Sequence, residues 1–379
     1  MEKEIYLDNS ATTPVCKAAI DNAVFAMSEE WGNPSALYTR GMNAEALVSK
    51  ARERVADYIN ARPDEIFFTG CGTESNNTAI FGAVEKLRKR CNRVVTSIVE
   101  HPSVKEPMKK LQEQGVEVIY LPVNSEGKVS VDHLREAINE KTMLVSLMAV
   151  NNETGAIQPV DKVREIIKEK NSPALFHCDA VQGFGKLPLD VNRLGVDLLS
   201  ISGHKVHAPK GVGVLYKKKG LALPSYLLGG GQEKGFRSGT EAVPLIWALK
   251  GAVDELGNPR ETLPHIVDLN RYAREKLTAI DGVYINSPED ALPYILNISV
   301  TGYRSEILLH FLEARGVYVS SGSACSKGMQ SGVLGEMGLP ATRGDSALRI
   351  SMSRHTTRED IDGLAEGLNA AKAKLRRVK

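Results

Sequence analysis

The feature that most constrains this chain is an alternation of short apolar runs and longer amphipathic segments between about residues 63 and 216. The apolar runs include EIFFTG, RVVTSIVE, EVIYLP, TMLVSLMAVNN, ALFHCDA and DLLSIS. β-rich runs separated by helical patterns are typical of β-α units on a mostly parallel sheet. After the first run, Ile80, Ala83, Val84 and Leu87 recur at helical spacing and predict one buried helix face. The sequence therefore predicts an α/β fold whose large domain contains a mostly parallel mixed sheet.

A second, smaller domain is predicted beyond this alternation. The segment PRETLP interrupts the pattern after residue 258, and a long helix is expected near Val267–Ala279. The strand-like runs YILNISV, GVYVSS and SALRISMS and a final helix follow. We expect a large domain over residues 14–257 and an α+β small domain formed by residues 1–13 and 258–379.

Composition excludes several classes of function. The 379 residues carry a net charge of +2, which is too balanced to indicate binding to nucleic acid or to an anionic membrane. No apolar run is long enough to span a membrane, and the N-terminus lacks the pattern of a signal peptide, so a cytoplasmic protein is expected. The five cysteines are far apart and show no metal-binding spacing, so neither a metal site nor a disulfide framework is predicted.

Polar and reactive residues follow the predicted strands. His101 ends one run, Asn152 another, Asp179 a third, and His204-Lys205 a fourth. Because functional groups gather beyond the carboxyl ends of strands in open parallel sheets, we expect these side chains to form one site.

Lys205 and Asp179 together indicate a cofactor. A lysine that forms a Schiff base is needed to hold pyridoxal phosphate, and a carboxylate keeps the pyridine nitrogen of that cofactor protonated. The alternative is a surface lysine after a turn and a capping aspartate. Their positions, 26 residues apart at two strand ends, favour the cofactor site.

The turn Gly70–Thr73 opens a helix and could bind the cofactor's phosphate through free backbone N–H groups and the helix dipole. Ser202 and His204 could add donors. A dinucleotide-binding fingerprint is rejected because Ser75 occupies the position of its third glycine. His101 is either a structural residue or, if the cofactor is present, an imidazole that stacks on the ring and carries protons.

Cys325 lies in the run VSSGSACSK, among small residues that offer no apolar core. Free cysteine is usually buried, so a cysteine in such a run indicates a chemical function.

Nine motifs, in order from about residue 5 to about residue 360, resemble those of the cysteine desulfurases of the class V aminotransferase group. They are YLDNSATTP, TGCGTESNN, EHPSV, VNNETGAIQP, HCDAVQ, SISGHK with PKGVG, FRSGTE, SSGSACS and LRISMSR. The resemblance implies a fold type I pyridoxal phosphate-dependent transferase that acts as a homodimer. Its substrate is expected to be L-cysteine, and a sulfur-acceptor protein is expected as a partner.

The resemblance also implies roles for individual residues. Lys205 is the Schiff-base lysine, Asp179 the partner of the ring nitrogen, His101 the stacking acid/base, and Gln182 a hydrogen-bond partner of the ring hydroxyl. The phosphate is held by Gly72, Thr73, Ser202, His204 and, from the other subunit, Thr240. The substrate carboxylate is bound by Asn152 and Arg354, with Arg349 as a rival, and Asn152 also contacts the cofactor. Cys325 is the nucleophile that becomes a persulfide.

The sequence therefore predicts a cysteine desulfurase that yields L-alanine. A selenocysteine lyase or another class V enzyme is the nearest alternative. A thiol hydrolase that uses Cys325 and His355, or a non-enzymatic sulfur carrier, would leave Lys205 and Asp179 without a function.

Overall fold

The predicted alternation forms one seven-stranded sheet in the computed structural model, which describes residues 4–321 and 332–377. The strands of these described residues are β1 Ile5–Tyr6, β2 Ile66–Thr69, β3 Arg93–Ser97, β4 Glu117–Leu121, β5 Thr142–Met148, β6 Leu175–Asp179, β7 Leu198–Ser202, β8 Gly213–Lys217, β9 Val283–Ile285, β10 Ile295–Val300, β11 Val317–Tyr318 and β12 Ala347–Ser351. The order in the large sheet is β2-β8-β7-β6-β5-β3-β4. Only β8 runs against its neighbours, so this sheet is mixed and mostly parallel, as predicted.

Helices connect and cover the strands. They are α1 Lys17–Ser28, α2 Thr39–Tyr58, α3 Gly72–Leu87, α4 Pro102–Glu113, α5 Val131–Ala137, α6 Val160–Glu169, α7 Val191–Leu194, α8 Val243–Glu255, α9 Pro259–Thr278, α10 Ser305–Glu313, α11 Gly332–Glu336, α12 Ala341–Asp345 and α13 Arg358–Lys374. Within the two described ranges, none of them combines the length and apolar character needed to cross a membrane.

The core lies on both faces of the large sheet. Every residue of β5 is buried. Val145 and Leu147 belong to one apolar cluster and Leu144 to another, because alternate side chains of a strand point to opposite faces. The predicted stripe on α3 joins the second cluster through Ile80, Ala83 and Val84. Both faces of the large sheet are thus buried, which explains why the sequences of these strands are continuous runs of apolar residues.

A third apolar cluster surrounds an antiparallel sheet of order β12-β10-β9. It is covered by α9, α10 and α13, and Leu7 from the N-terminal segment packs into it. The N-terminal strand β1 also pairs in parallel with β11. These contacts support a small domain that includes the first residues, although the boundaries at 13 and 257 stay predictions.

The helix expected near Val267–Ala279 begins earlier than predicted. PRETLP is not a break, because α9 already starts at Pro259. Proline is tolerated at the first helical position, where its missing N–H would have no helical partner. Asn258 caps the helix by accepting a hydrogen bond from Arg260 N, and Pro264 lies inside the helix.

Candidate active site

The carboxyl ends of β5, β6 and β7 open into a cavity of about 440 Å³, which we call the main cavity. Nine of the predicted site residues line it: Gly72, Thr73, His101, Asn152, Asp179, Gln182, Ser202, His204 and Lys205. Ser10 and Ala11 of the N-terminal segment and Arg349 of β12 also line it. The structure therefore brings together residues that are up to 339 positions apart in the sequence, from Ser10 to Arg349.

Lys205 ends a single 3-10 turn, Gly203–Lys205, that directly follows β7. Gly203 packs so closely that an added Cβ would lie 2.9 Å from Val212 Cγ1, which explains why no side chain fits at this turn. The Nζ of Lys205 donates to the carbonyl oxygens of Ser10 and Ala11 at 2.6 and 2.7 Å. These two contacts hold the amine at the cavity wall.

Asp179 is the last residue of β6 and only 5% exposed. Its Oδ1 accepts from Val181 N at 3.0 Å and its Oδ2 from Asn76 Nδ2 at 2.7 Å. Burial raises the pKa of Asp179, and these two hydrogen bonds oppose the shift. A cation placed in the cavity beside this carboxylate would favour its ionised form.

His101 caps α4, because its Nδ1 accepts a hydrogen bond from Ser103 N at 3.1 Å. Ser103 Oγ lies 2.8 Å from the same nitrogen. An Nδ1 that accepts must be unprotonated, so the imidazole proton of the neutral ring lies on Nε2. Burial lowers the pKa of His101, which agrees with a neutral ring, while Asp179 opposes the shift. His101 therefore caps a helix and also lines the cavity, while its stacking on a cofactor ring stays a prediction.

The N-terminus of α3 forms one end of the main cavity. Gly72 begins the helix, and a Cβ there would lie 2.9 Å from Val181 Cγ2 and 3.2 Å from Ser202 Cβ. Glu74, in the first turn, is paired with Arg237 at 2.7 Å. This ion pair neutralises a carboxylate that would otherwise weaken the attraction of the helix end for an anion.

His204 provides a neutral imidazole at the same end. Its Nδ1 lies 3.2 Å from Thr12 Oγ1. Burial, and then the charges of Lys205 and Lys210, lower the pKa of His204 to about 4. At neutral pH this ring can donate one hydrogen bond without adding charge.

The structure separates the two candidate arginines. Arg349, 4% exposed, lines the main cavity; it donates to Asp8 Oδ1 at 2.7 Å and to Asn152 O at 3.1 Å. Its Nε is buried without a hydrogen-bond partner among the described residues. Arg354 does not line the main cavity, because Glu255 holds it in an ion pair at 2.7 Å. This differs from the expectation that Arg354 binds a substrate carboxylate and favours its rival Arg349.

Arg354 lines a second opening, which we call the side cavity. It measures about 30 Å³, room for one or two water molecules. Its other lining residues include Lys186, Lys205, Thr262, Tyr294 and Met352.

The remaining predicted residues lie elsewhere. Thr240 is exposed and does not line the main cavity, so its expected contact with a second subunit stays a prediction. Cys325 lies outside the described residues. Cys71 lines the main cavity beside Gly72.

Two contributors were missed by sequence reasoning. Asn76 donates a hydrogen bond to Asp179. It could have been predicted from the sequence, because it follows Thr73 by three positions in α3 and therefore lies on the same face of that helix. The contacts of the Ser10 and Ala11 carbonyl oxygens with Lys205 could not have been predicted, because backbone atoms are the same for every residue type. Ser10 Oγ is also buried at the cavity wall with no partner among the described residues.

These observations fit pyridoxal phosphate. The helix end with Thr73, Ser202 and His204 suits a phosphate group, Lys205 suits an aldehyde, and the buried carboxylate of Asp179 suits a protonated ring nitrogen.

Comparison with known proteins identifies the family. The model of the family described as aminotransferase class-V matches residues 5–364. The chain belongs to this family. It is 40% identical to "Cysteine desulfurase IscS" of Methanosarcina thermophila, over 99% of this chain and 94% of that protein. This confirms the resemblance that the motifs predicted.

Solved structures agree on the fold. A "NIFS-LIKE PROTEIN" superposes with a TM-score of 0.92 at 38% identity, over 98% of this chain and 100% of that chain. A structure described as "SspA in complex with cysteine" has a TM-score of 0.83 at 33% identity, over 94% of this chain and all of that one. The predicted α/β fold class is confirmed.

Proposed function

We propose that this protein is a pyridoxal phosphate-dependent cysteine desulfurase, which converts L-cysteine to L-alanine and moves the sulfur to Cys325. The observation that carries the proposal is that Lys205 and the buried Asp179 line one cavity. The N-terminus of α3 at one end of this cavity suits an anion. Relatives named cysteine desulfurase, at about 40% identity over nearly the whole chain, support the choice of reaction.

The residues of the main cavity would hold the cofactor as follows. Lys205 bonds to its aldehyde carbon, Asp179 accepts from its ring nitrogen, Gln182 donates to its ring hydroxyl, and His101 stacks on its ring. Its phosphate is held by Gly72, Thr73, Ser202 and His204, with Thr240 from a second subunit. The bound cofactor supplies an electron sink for negative charge that develops at the substrate's α-carbon.

Arg349 would bind the substrate carboxylate through its guanidinium group, since its side chain lines the main cavity, and Asn152 would add an amide donor. The amine of Lys205 lies in the same cavity, where it would accept the α-proton of the substrate. His101 and Lys205 then carry protons between the substrate and the cavity.

Cys325 acts as the nucleophile of the sulfur transfer. Its thiolate attacks the thiol sulfur of the substrate, so that a new S–S bond forms while the Cβ–S bond of the substrate breaks. The electron pair of the broken bond stays with carbon, and proton transfer to that carbon yields alanine. The persulfide on Cys325 then passes its outer sulfur to an acceptor.

The assembly is also part of the proposal. We expect a cytoplasmic homodimer of two-domain chains, with a large domain over 14–257 and a small domain from 1–13 and 258–379. A sulfur-acceptor protein is the expected partner.

The test is production of alanine from L-cysteine by the purified protein loaded with pyridoxal phosphate. Lys205→Ala is expected to abolish turnover, whereas Lys218→Ala, a matched control at an exposed lysine, keeps it. Turnover at the wild-type rate by Lys205→Ala would refute the assignment. Turnover of selenocysteine but not of cysteine would replace it with a selenocysteine lyase.

A further inference from the structure

Lys186 is a buried lysine that the proposed reaction does not use. Lys186 is only 6% exposed, and no carboxylate of the described residues lies within ion-pair distance of its amine. Its Nζ donates to Gln182 Oε1 at 3.2 Å and lies 6.0 Å from the centroid of the Tyr294 ring. Lys186 lines the side cavity but not the main cavity.

This placement is unfavourable for the fold by itself. A buried ammonium without a counter-ion is costly, and an apolar side chain of similar length would avoid that cost. Burial, and then the charges of Lys205 and Arg349, lower the pKa of Lys186 to about 7. The hydrogen bond to Gln182 is the polar contact that compensates for this burial.

Gln182 stands between the two cavities, and its neighbours fix the orientation of its amide. The carbonyl oxygen of Ser10, 3.0 Å away, can only accept, so the atom that faces it must be Nε2. The oxygen Oε1 then faces Lys186, which donates to it. Nε2 carries two hydrogens, and Ser10 O takes one of them. The second is left for a ligand in the main cavity, which Gln182 lines.

We propose that Lys186 is a positioning residue that locks the Gln182 amide with its N–H toward the main cavity. The inference rests on the proposed function, in which that N–H donates to the ring hydroxyl of the cofactor. Gly185 permits the arrangement, because its φ of +74° turns the chain so that Lys186 lies behind Gln182. Without Lys186, Oε1 would be buried without a donor, and of the two contacts that orient the amide only the one with Ser10 O would remain.

The test uses the absorption spectrum and cofactor affinity of the protein loaded with pyridoxal phosphate. The ratio of the two long-wavelength bands of the bound cofactor reports where the proton of its ring hydroxyl lies. Lys186→Met is expected to shift this ratio in the same direction as Gln182→Met. It is also expected to weaken cofactor binding about two- to tenfold, as for the loss of one hydrogen bond. Thr262→Val, in the same side cavity, is the control and keeps the wild-type spectrum.

A double-mutant cycle separates positioning from packing. If Lys186 acts through Gln182, Lys186→Met adds no further shift in the Gln182→Met background. An unchanged spectrum and affinity in Lys186→Met, or an equal effect in both backgrounds, would overturn the inference. If Lys186→Met does not fold, Lys186→Gln gives the same test. The glutamine side chain at position 186 is polar but one bond shorter than lysine, so it does not reach the Oε1 atom of Gln182.

These outcomes are distinct from failure of the proposed function. That function fails if the wild-type protein binds no cofactor or forms no alanine. The positioning role of Lys186 fails only when the wild-type protein binds the cofactor and forms alanine, but the Lys186 variants do not show the expected change in spectrum and cofactor affinity.

Discussion

Arg349 is the cation best placed to bind a carboxylate in the main cavity, since its side chain lines that cavity whereas Arg354 lines the side cavity. Arg349→Ala should raise the KM for L-cysteine by about ten- to a thousandfold, as expected for losing a charge-assisted, bidentate contact. Steady-state kinetics with the matched variant Arg354→Ala provide the control, and its KM should stay within about threefold of wild type. The opposite pattern would show that Arg354 is the carboxylate ligand.

The sequence could not separate these two arginines. They lie five positions apart in one motif, and what distinguishes them is their partners, Asp8 for Arg349 and Glu255 for Arg354. Both partners come from distant parts of the chain. By contrast, the positions of Lys205 and Asp179 were predictable. Asp179 ends β6 and Lys205 ends the turn after β7, and the apolar runs of both strands are clear in the sequence.

At the scale of elements, Glu100 joins the end of β3 to β5. It is buried, its Oε1 accepts from Ser97 Oγ at 2.6 Å and from Met148 N at 3.0 Å, and its Oε2 is buried without a partner among the described residues. Burial, with a contribution from the charge of Asp179, raises the pKa of Glu100 to about 8. The carboxyl is therefore protonated in the native state at neutral pH.

This shift predicts how stability depends on pH. Between the ordinary value of 4.5 and about 8, the native state keeps a proton that the unfolded state has lost, so native stability falls as pH rises. Glu100→Gln removes this dependence while resembling the protonated acid. The stability of Glu100→Gln relative to wild type should therefore increase with pH in that window, by at most about 1.4 kcal/mol per pH unit.

Denaturant unfolding of both proteins at a series of pH values measures this difference. Glu165→Gln, on an exposed position of α6, controls for removal of a charge. A difference between Glu100→Gln and wild type that stays constant from pH 5 to 8 would show that Glu100 is ionised in the fold.

Helices and strands could be predicted from the sequence where a single apolar periodicity dominated a segment. The apolar period of α3 matched its buried face, and the β-rich runs matched the sheet. The start of α9 was not predictable from the same logic, since two prolines within six residues usually mark a break. Here Asn258 and the position of Pro259 in the first turn make them compatible with a helix.

At the scale of the molecule, large apolar side chains are exposed on and after α1. They are Ile20, Val24, Phe25, Met27, Trp31, Leu37, Tyr38 and Met42. Exposed apolar side chains in this number along one part of the chain are typical of a protein interface, and this is where we expect the second subunit to bind.

Val24→Asp should therefore halve the molecular mass measured by light scattering, because it places a charge in that interface. Cofactor retention should fall as well, since Thr240 is expected to come from the second subunit. Lys50→Asp, at an exposed position of α2, serves as the control. A wild-type protein that is monomeric at assay concentrations would contradict the homodimer.

The central claim is that this chain takes sulfur from L-cysteine onto Cys325, and one single-turnover measurement tests it most directly. Protein loaded with pyridoxal phosphate is mixed with one equivalent of L-cysteine, quenched under non-reducing conditions, digested and analysed by mass spectrometry, while alanine is quantified in the same sample. The account predicts one alanine per active site and the mass of one added sulfur atom on the peptide that contains Cys325. No alanine, or the added sulfur on Cys71 with Cys325 unmodified, would contradict it.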